Sequence, residues 1–255
     1  MRQNRMRHKL ERGEAVIGVN LQIDSPWLVE IIGQAGFDFV MLDGEHGFAF
    51  SNLPVLVMAA DAAGITPIVR VPSHDRGYIL PALEAGAGGI QVTMVNTPDE
   101  ARRLVDEAKF SPPGKRGFSN ATRAANYGAI PSNEYGELAN REVLLILQLE
   151  TTQAVENVDG IVNIPGVDMV FFGPGDLSQS MGYFGQQDAV PVRDAIRQAI
   201  ATVDGRLYTA TSVFTQDDVH YWRGTGIRSF LTSSTHPIRR AFEQVHRSLS
   251  GPLAE

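Results

Sequence analysis

Eight short runs of mainly apolar residues alternate along the chain with longer segments in which apolar residues recur at helical spacing. Runs of this length and composition are typical of strands that are covered on both faces of a parallel sheet. The alternation therefore predicts repeated strand–helix units. The predicted strands cover residues 15–20, 37–42, 66–70, 89–92, 144–149, 169–172, 207–211 and 228–231.

Eight such units favour a closed (β/α)8 barrel, an α/β fold, over an open doubly wound sheet. The 255 residues of the chain are close to the roughly 250 of a typical barrel of this kind. No glycine-rich dinucleotide fingerprint follows the first strand, and the glycine cluster at 86–89 precedes a strand instead of opening a helix. We therefore predict one barrel domain over residues 1–255.

Residues that begin and end helices support this division of the chain. Expected ends are Gly64, Gly86 and Gly224. One connection, residues 111–140, is much longer than the others, and such long loops usually carry function or subunit contacts. The expected helix starts are Ser25 before Pro26, Thr97 before Pro98, Thr215, and His236 before Pro237.

Composition excludes several classes of function. A formal net charge of -7 with mixed acids and bases gives no basic surface for nucleic acid or an anionic membrane. The chain has no cysteine, which excludes disulfides, thiolate metal ligands and thiol nucleophiles. Residues 1–12 lack the apolar core of a secretory signal, and no apolar run is long enough to span a membrane. We expect a cytoplasmic protein that acts on a small molecule.

Catalytic groups of such barrels collect at the carboxyl ends of the strands, and four of the predicted strands end in polar residues. Glu150 and Asp176 follow the fifth and sixth strands, so their carboxylates are expected to lie side by side. Two hard oxygen ligands suit Mg²⁺ or Mn²⁺, with water and substrate completing the coordination. Taken singly, Asp176 is better explained as a helix cap and Glu150 as a first-turn acid. Their pairing favours a metal site.

Arg70 ends an apolar strand, where an unpaired guanidinium would be costly to bury. It therefore needs an anionic partner. Its planar fork suits the carboxylate or the enolate oxygen of a keto acid, and it equally suits an ion pair with Asp43. The sequence leaves both alternatives open.

His46 is the histidine that follows a strand with acids beside it, and either Asp43 or Glu45 could orient its ring for proton transfer. His74 and His236, after the third and eighth strands, are the competing candidates. The lysines give a clearer exclusion. Schiff-base and pyridoxal chemistry need a lysine in the site, and none of the three lysines ends a predicted strand. Electron withdrawal would then come from a metal.

Five motifs follow one another in a fixed order along nearly the whole chain. They are Asp-Gly-Glu-His at 43–46, Arg70, Pro-Pro-Gly-Lys-Arg-Gly at 112–117, Gln148 with Glu150, and Gly-Pro-Gly-Asp-Leu-Ser at 173–178. In this order they resemble the HpcH/HpaI aldolases. The resemblance implies a barrel of the phosphoenolpyruvate/pyruvate type and a class II pyruvate aldolase, similar to 4-hydroxy-2-oxoheptane-1,7-dioate aldolase or 2-dehydro-3-deoxyglucarate aldolase. It also implies assembly as a trimer or hexamer.

The resemblance implies a role for each site residue. Glu150 and Asp176 would hold the divalent ion, Mg²⁺ or Mn²⁺ with Co²⁺ as a further option. Arg70 would bind the keto-acid oxygen, and His46, oriented by Asp43, would act as the base. The other implied contacts are Gln148 in the pyruvate pocket, backbone amides near Gly175 at the carboxylate, and Glu84 reaching a neighbouring subunit's site.

Two departures from the family pattern bear on the substrate. Thr93 stands where a proline is usual, and residues 232–235 replace a common glycine-aspartate ending. We predict reversible cleavage of a 4-hydroxy-2-oxo acid to pyruvate or hydroxypyruvate and an aldehyde through a metal-bound enolate. The alternatives are a related acyl-coenzyme A lyase or oxaloacetate decarboxylase that uses the same enolate, and a barrel that has lost catalysis.

Overall fold

A closed barrel of eight parallel strands forms the centre of the computed structural model, which describes residues 2–47 and 50–250. Each strand pairs with the strand before and after it in the chain, and β1 pairs with β8 to close the barrel. The predicted fold class is therefore confirmed. The strands are β1 (Val16–Leu21), β2 (Phe39–Asp43), β3 (Thr66–Val71), β4 (Gly89–Val92), β5 (Leu144–Leu149), β6 (Met169–Phe172), β7 (Tyr208–Ser212) and β8 (Ser229–Ser233).

The predicted strands coincide with the observed ones at β4, β5 and β6 and differ by one or two residues elsewhere. β2 begins at Phe39 and not at 37, and the Asp38 side chain just before it accepts hydrogen bonds from the Ile17 backbone and from Lys9. β7 and β8 continue into Ser212 and Ser233, since the pairing with neighbouring strands does not end where the apolar residues end.

Helices cover the outside of the barrel. Ser25, Thr97 and Thr215 cap their helices through their side chains, as predicted. The last helix begins at Thr235, one residue before the predicted His236. The helices are α1 (Arg5–Glu11), α2 (Pro26–Gln34), α3 (Leu53–Ala63), α4 (Arg76–Glu84), α5 (Pro98–Ala108), α6 (Ser132–Glu142), α7 (Thr152–Glu156), α8 (Val158–Val162), α9 (Pro174–Ser180), α10 (Val190–Val203), α11 (Gln216–Arg223) and α12 (Thr235–Leu249).

The barrel has two cores because successive side chains of a strand face opposite sides of the sheet. Outward-facing residues such as Val69, Leu147 and Val170 pack against the helices. Inward-facing residues such as Met41, Ile146 and Phe171 fill the barrel. The filled interior supports the strands from below, so the polar groups at their carboxyl ends rest on a rigid base.

Helix α1 closes the amino-terminal end of the barrel. Its Met6 and Leu10 are buried and belong to the interior core. The Asn4 side chain caps α1 and also donates to the carbonyl oxygens of Gly88 and Glu142, 2.7 and 2.8 Å away. We refer to residues 4–11 as the floor of the barrel.

The long connection between β4 and β5 contains α6 and a short 3-10 helix, Arg123–Gly128. Phe110, Tyr135 and Ala139 form a small core of their own within it. The connection packs against α4, and Arg123 donates to the Ala85 carbonyl beyond the end of that helix. The part of the connection around Arg123 therefore lies beside the floor. Whether it carries subunit contacts stays a prediction.

Helix α12 is amphipathic, and none of its residues, all of which the structure describes, is buried. Phe242, Val245 and Leu249 recur at helical spacing and are exposed, Phe242 by 72% and Leu249 by 77%. Trp27 and Ile31, one turn apart on α2, are exposed as well. No helix of the described ranges combines the length and the apolar character that a membrane crossing requires.

Candidate active site

The inward-facing positions change from apolar to polar towards the carboxyl ends of the strands. In β3, Ile68 is followed two residues later by Arg70; in β5, Ile146 is followed by Gln148. These polar side chains surround a cavity of about 180 Å³. Its lining includes Asn20, Arg70, Gln91, Gln148, Gly173, Gly175, Asp176, Gln187, Ser212, Phe214, Thr232 and Ser233.

Asp43 and Arg70 form a buried ion pair at the edge of this cavity. They lie opposite each other in the register of β2 and β3. Arg70 Nε donates to Asp43 Oδ1 over 2.9 Å and Nη2 donates to Oδ2 over 2.5 Å. Burial acts to raise the pKa of Asp43, but the contacts with Arg70 outweigh it, and the pKa lies below its usual value. Of the two partners considered for Arg70, the rim acid is thus present, and Arg70 still lines the cavity.

Glu45 links three parts of the rim. One of its carboxylate oxygens lies 3.3 Å from Arg70 Nη1 and 3.6 Å from His46 Nε2, and the other accepts from the Thr93 hydroxyl over 3.0 Å. A proline at position 93 could not supply that hydroxyl. The departure at Thr93 therefore has a structural effect, since it fixes the acid nearest the histidine.

The expectation that Asp43 orients the His46 ring is corrected by these contacts. Asp43 Oδ1 accepts from the backbone N–H groups of Glu45 and His46, both over 3.1 Å, and so shapes the turn. Its oxygens are otherwise occupied by Arg70 and Asn20. Glu45 is the acid that lies near the His46 ring. The His46 side chain is 62% exposed.

Glu150 is 2% exposed and is held on both oxygens. Gln148 donates its side-chain amide to Oε2, and the Met94 backbone N–H donates to Oε1 over 2.9 Å. Burial is the main reason that the pKa of Glu150 is raised to about 7, and the charges of Asp176 and Glu45 add to the effect. Burial therefore makes the ionised form of this carboxyl costly.

Asp176 lies in the first turn of α9, is exposed and lines the cavity. Its charge acts on Glu150, so the two carboxylates share one face of the barrel. Two repelling carboxylates beside a polar cavity fit a divalent cation whose other ligands are water and substrate. Within residues 2–47 and 50–250, no cluster of three acidic or histidine side chains could hold a metal by itself. The donor set is compatible with such a shared site.

Several cavity residues escape notice in the sequence because they lie inside apolar runs. Asn20 interrupts β1 and Gln91 interrupts β4; Gln91 donates to Gln148, which in turn holds Glu150. Asn20 donates to Asp43 Oδ2 over 3.2 Å, and its Oδ1 is buried without a partner among the described residues. The sequence signal that could have found them is the alternation of inward-facing and outward-facing positions along each strand. In that alternation they face the same side of the sheet as Arg70.

The remaining candidates are distributed over both ends of the barrel. Gly175 lines the cavity, and an added Cβ there would meet open space. Glu84 ends α4 near the start of β4, outside the cavity of its own chain. His74 Nε2 lies 2.8 Å from the Thr93 carbonyl oxygen, and the His236 ring is 6.2 Å from the Phe214 ring.

Comparison with known proteins identifies the family to which the chain is similar. The family model described as HpcH/HpaI aldolase/citrate lyase matches residues 17–220. The hydroxypyruvate/pyruvate aldolase of Deinococcus radiodurans is 37% identical over 204 residues, which cover 79% of this chain and 73% of that protein. The 4-hydroxy-2-oxo-heptane-1,7-dioate aldolase of Escherichia coli is 35% identical over 205 residues, covering 79% and 77%.

A solved structure extends the likeness to nearly the whole chain. The crystal structure of an HpcH/HpaI aldolase from Desulfitobacterium hafniense superposes with a TM-score of 0.93 at 26% identity, covering 99% of each chain. The barrel and its connections therefore follow those of a solved relative from end to end.

Proposed function

The chain belongs to the HpcH/HpaI aldolase/citrate lyase family, and we propose that it is a class II aldolase that reversibly cleaves a 4-hydroxy-2-oxo acid. The products are pyruvate or hydroxypyruvate and an aldehyde. The observation that carries the proposal is one polar cavity at the carboxyl end of the barrel, lined by Arg70 and Asp176, with the buried Glu150 carboxylate behind its wall residue Gln148.

Members of this family generally depend on a divalent metal. We assign Glu150 and Asp176 as its protein ligands, with Mg²⁺ or Mn²⁺ as the ion and Co²⁺ as a substitute. The repulsion between the two carboxylates and the raised pKa of Glu150 support this assignment, because a cation would relieve both. When bound, such an ion supplies Lewis-acid polarisation of the keto acid.

Arg70 binds the 2-oxo oxygen and stabilises the negative charge that develops there as the enolate forms. Asp43 keeps the guanidinium in place through two hydrogen bonds, so little reorganisation is needed at the moment of reaction. The Gln91–Gln148–Glu150 chain of hydrogen bonds fixes the opposite wall of the pyruvate pocket.

His46 accepts the proton of the 4-hydroxyl group, directly or through a water, with Glu45 as its neighbouring carboxylate. Loss of that proton lets the bond between C3 and C4 break. C4 leaves as the aldehyde, and the bonding electrons form the C2–C3 double bond of the enolate. Return of the proton to C3 gives pyruvate and restores His46.

Hydroxyl-bearing substrates suit the rest of the cavity. Ser212, Ser233 and Thr232 supply hydroxyl groups at the ends of β7 and β8, and Gln187 supplies an amide. These groups would pair with the hydroxyl of hydroxypyruvate or of a sugar-derived aldehyde. A small, hydroxylated substrate is therefore favoured over an apolar one.

The protein assembles with copies of itself, as a trimer or hexamer. The apolar face of α12 is not covered by its own barrel, and Trp27 and Ile31 lie exposed on α2 of the same chain. A second copy carries the same two apolar surfaces, so one symmetric contact can cover α12 and α2 of both copies at once. A contribution of Glu84 to a neighbouring subunit's site belongs to this part of the proposal.

The test is to replace the two carboxylates by amides of the same shape. Glu150→Gln and Asp176→Asn are each expected to reduce metal affinity and retro-aldol turnover by orders of magnitude, because both remove a charged ligand. Calorimetric titration with Mn²⁺ measures the first, and pyruvate release coupled to lactate dehydrogenase measures the second. Glu156→Gln, at an exposed helical position, is the matched control. Full turnover by protein stripped with EDTA would refute the proposal.

A further inference from the structure

A second cavity, about 330 Å³ in volume, lies at the opposite end of the barrel. It is bounded by the segment that leads into α1, the end of α3, the starts of β3 and β4, and the 3-10 helix Arg123–Gly128. None of the residues assigned above to the aldolase site lines it. We call it the basal cavity and define it by Arg2, Arg5, Asp61, Arg123 and Asn126.

Positive charge exceeds negative charge in the basal cavity. Three arginines line it, and Asp61 is the one carboxylate among its described lining residues. Asp61 Oδ2 is shared: it lies 2.5 Å from Arg123 Nη2 and also pairs with Arg2. Arg5 has no carboxylate partner among the described ion pairs and donates to the Gly64 carbonyl over 2.7 Å. The Asp61 carboxylate is therefore shared by the guanidiniums of Arg2 and Arg123, and the guanidinium of Arg5 has no carboxylate partner among the described ion pairs.

Two of these guanidiniums lie directly against glycine backbone. A Cβ added to Gly64 would lie 2.7 Å from Arg5 Nη1, and one added to Gly86 would lie 2.8 Å from Arg123 Nη1. A larger residue at either position would displace the arginine. The bare backbone thus sets where both charges stand at the wall of the cavity.

A turn with unusual backbone geometry completes the wall. Asn126 and Tyr127 both adopt left-handed conformations, with φ of 50° and 54°, which residues other than glycine rarely do. The turn brings the Tyr127 phenol near Arg2 and Arg123. Burial, followed by the charge of Arg123, lowers the pKa of Arg2, so the two cations repel each other across Asp61.

We propose that the basal cavity binds a compact polyanion that carries phosphate or carboxylate groups. Guanidinium forks bind both groups through paired hydrogen bonds. The volume admits a molecule much larger than a single inorganic ion. A bound anion would offset the charge that Asp61 leaves uncompensated, and it would join the segment before α1 to the connection between β4 and β5.

Calorimetric titration with inorganic phosphate and with tricarballylate tests the proposal and distinguishes the two anion chemistries. It uses the full chain at low ionic strength, with Mg²⁺ and pyruvate saturating so that the aldolase site does not contribute. Arg5→Gln and Arg123→Gln should each weaken the affinity about tenfold or more, since each removes a charged fork. Arg197→Gln is the control, because Arg197 pairs with Asp194 on exposed α10.

Asp61→Asn gives an expectation of the opposite sign. Removing the competing carboxylate frees Arg2 and Arg123, so the anion should bind more tightly than to the unchanged protein. If the arginines served only to fix Asp61, the variant would gain no affinity. Absence of binding by the unchanged protein, or equal affinity in the Arg5, Arg123 and Arg197 variants, overturns the proposal. Should Arg123→Gln fail to fold, Arg123→Lys, which keeps the charge without the fork, is expected to weaken binding less than Arg5→Gln.

Discussion

At the scale of single residues, Glu150 is the side chain whose state depends most on its surroundings. Burial raises its pKa to about 7, so in the metal-free protein it is largely protonated in mildly acid solution. In the unfolded chain the same carboxyl loses its proton near its ordinary value. Folding without metal therefore favours the protonated carboxyl, whereas metal binding favours the ionised carboxylate, because a metal requires the ionised carboxylate.

We expect the metal-free protein to lose stability as the pH rises from about 4.5 to about 7. In that window the unfolded state has released the proton while the folded state still holds it, so the free energy of unfolding falls with pH. The contribution is complete below the unfolded pKa and is lost as the pH passes the folded one. Denaturant titrations in EDTA at several pH values measure it.

Glu150→Gln isolates this effect, since the amide keeps the shape and does not titrate. In the variant an amide nitrogen replaces one oxygen that accepts a hydrogen bond, which changes the stability by the same amount at every pH. Without metal, its free energy of unfolding should therefore lack the fall between about pH 4.5 and about pH 7 that the unchanged protein shows. Equal pH dependence in the two proteins would contradict the assignment of the raised pKa to Glu150. Turnover would fall, because the variant loses a metal ligand.

The predictability of the site follows from where each residue stands in its strand. Glu150 could be selected as a candidate because it follows an apolar run directly, and Asp176 because only Gly173, Pro174 and Gly175 separate it from one. The partner of Arg70 could not, since the choice between Asp43 and a substrate depends on the register of β2 against β3. Gln91 was missed because it lies within a predicted run, and Asn20, at the end of one, carries no charge that would mark it; their roles appear only once the inside of the barrel is known.

At the scale of elements, the starts of helices are stabilised by side chains that the sequence makes visible. Thr97 accepts from the Glu100 backbone over 3.2 Å, and Glu100 accepts from the Thr97 backbone over 3.0 Å. This reciprocal cap begins α5, which buries Leu104 and Val105 against the barrel. Ends of strands are less visible, because the serines that close β7 and β8 still pair with their neighbours.

Thr97→Ala should lower the free energy of unfolding by about 1 kcal/mol, since it removes the acceptor for the first turn of α5. Thr97→Ser keeps the hydroxyl and should retain most of the stability. Urea unfolding of the three proteins with metal present measures the difference. Equal losses in the alanine and serine variants would show that the methyl group, and not the cap, matters at this position.

At the scale of the whole molecule, the eightfold repeat made the barrel predictable and left the assembly undecided. Each strand–helix unit carries its own pattern, so closure follows once eight are counted. The pattern of α12 identifies an apolar face, but it does not say whether that face covers its own barrel or another one. That distinction depends on the direction in which the chain leaves β8.

Phe242→Glu combined with Val245→Glu should dissociate the assembly, because it places two charges in the apolar stripe of α12. Arg240→Gln with Gln244→Glu changes the net charge by the same two units on the opposite side of the helix and should leave the assembly intact. Light scattering after size-exclusion chromatography gives the mass of each. An unchanged mass in the first variant, or a monomeric parent protein, would contradict the proposed assembly.

The floor of the barrel has a kinetic consequence for the proposed reaction. Because residues 4–11 seal one end and apolar side chains fill the interior above them, reactants enter and leave through a single mouth. The keto acid and the aldehyde therefore use the same opening, so they must bind and leave in a fixed order. In the direction of condensation, we expect the keto acid to bind first, beside Arg70 and Gln148. In the direction of cleavage, we expect the aldehyde, which lies nearer the mouth, to leave before the keto acid. Ordered release is thus a consequence of the closure of the barrel by residues 4–11.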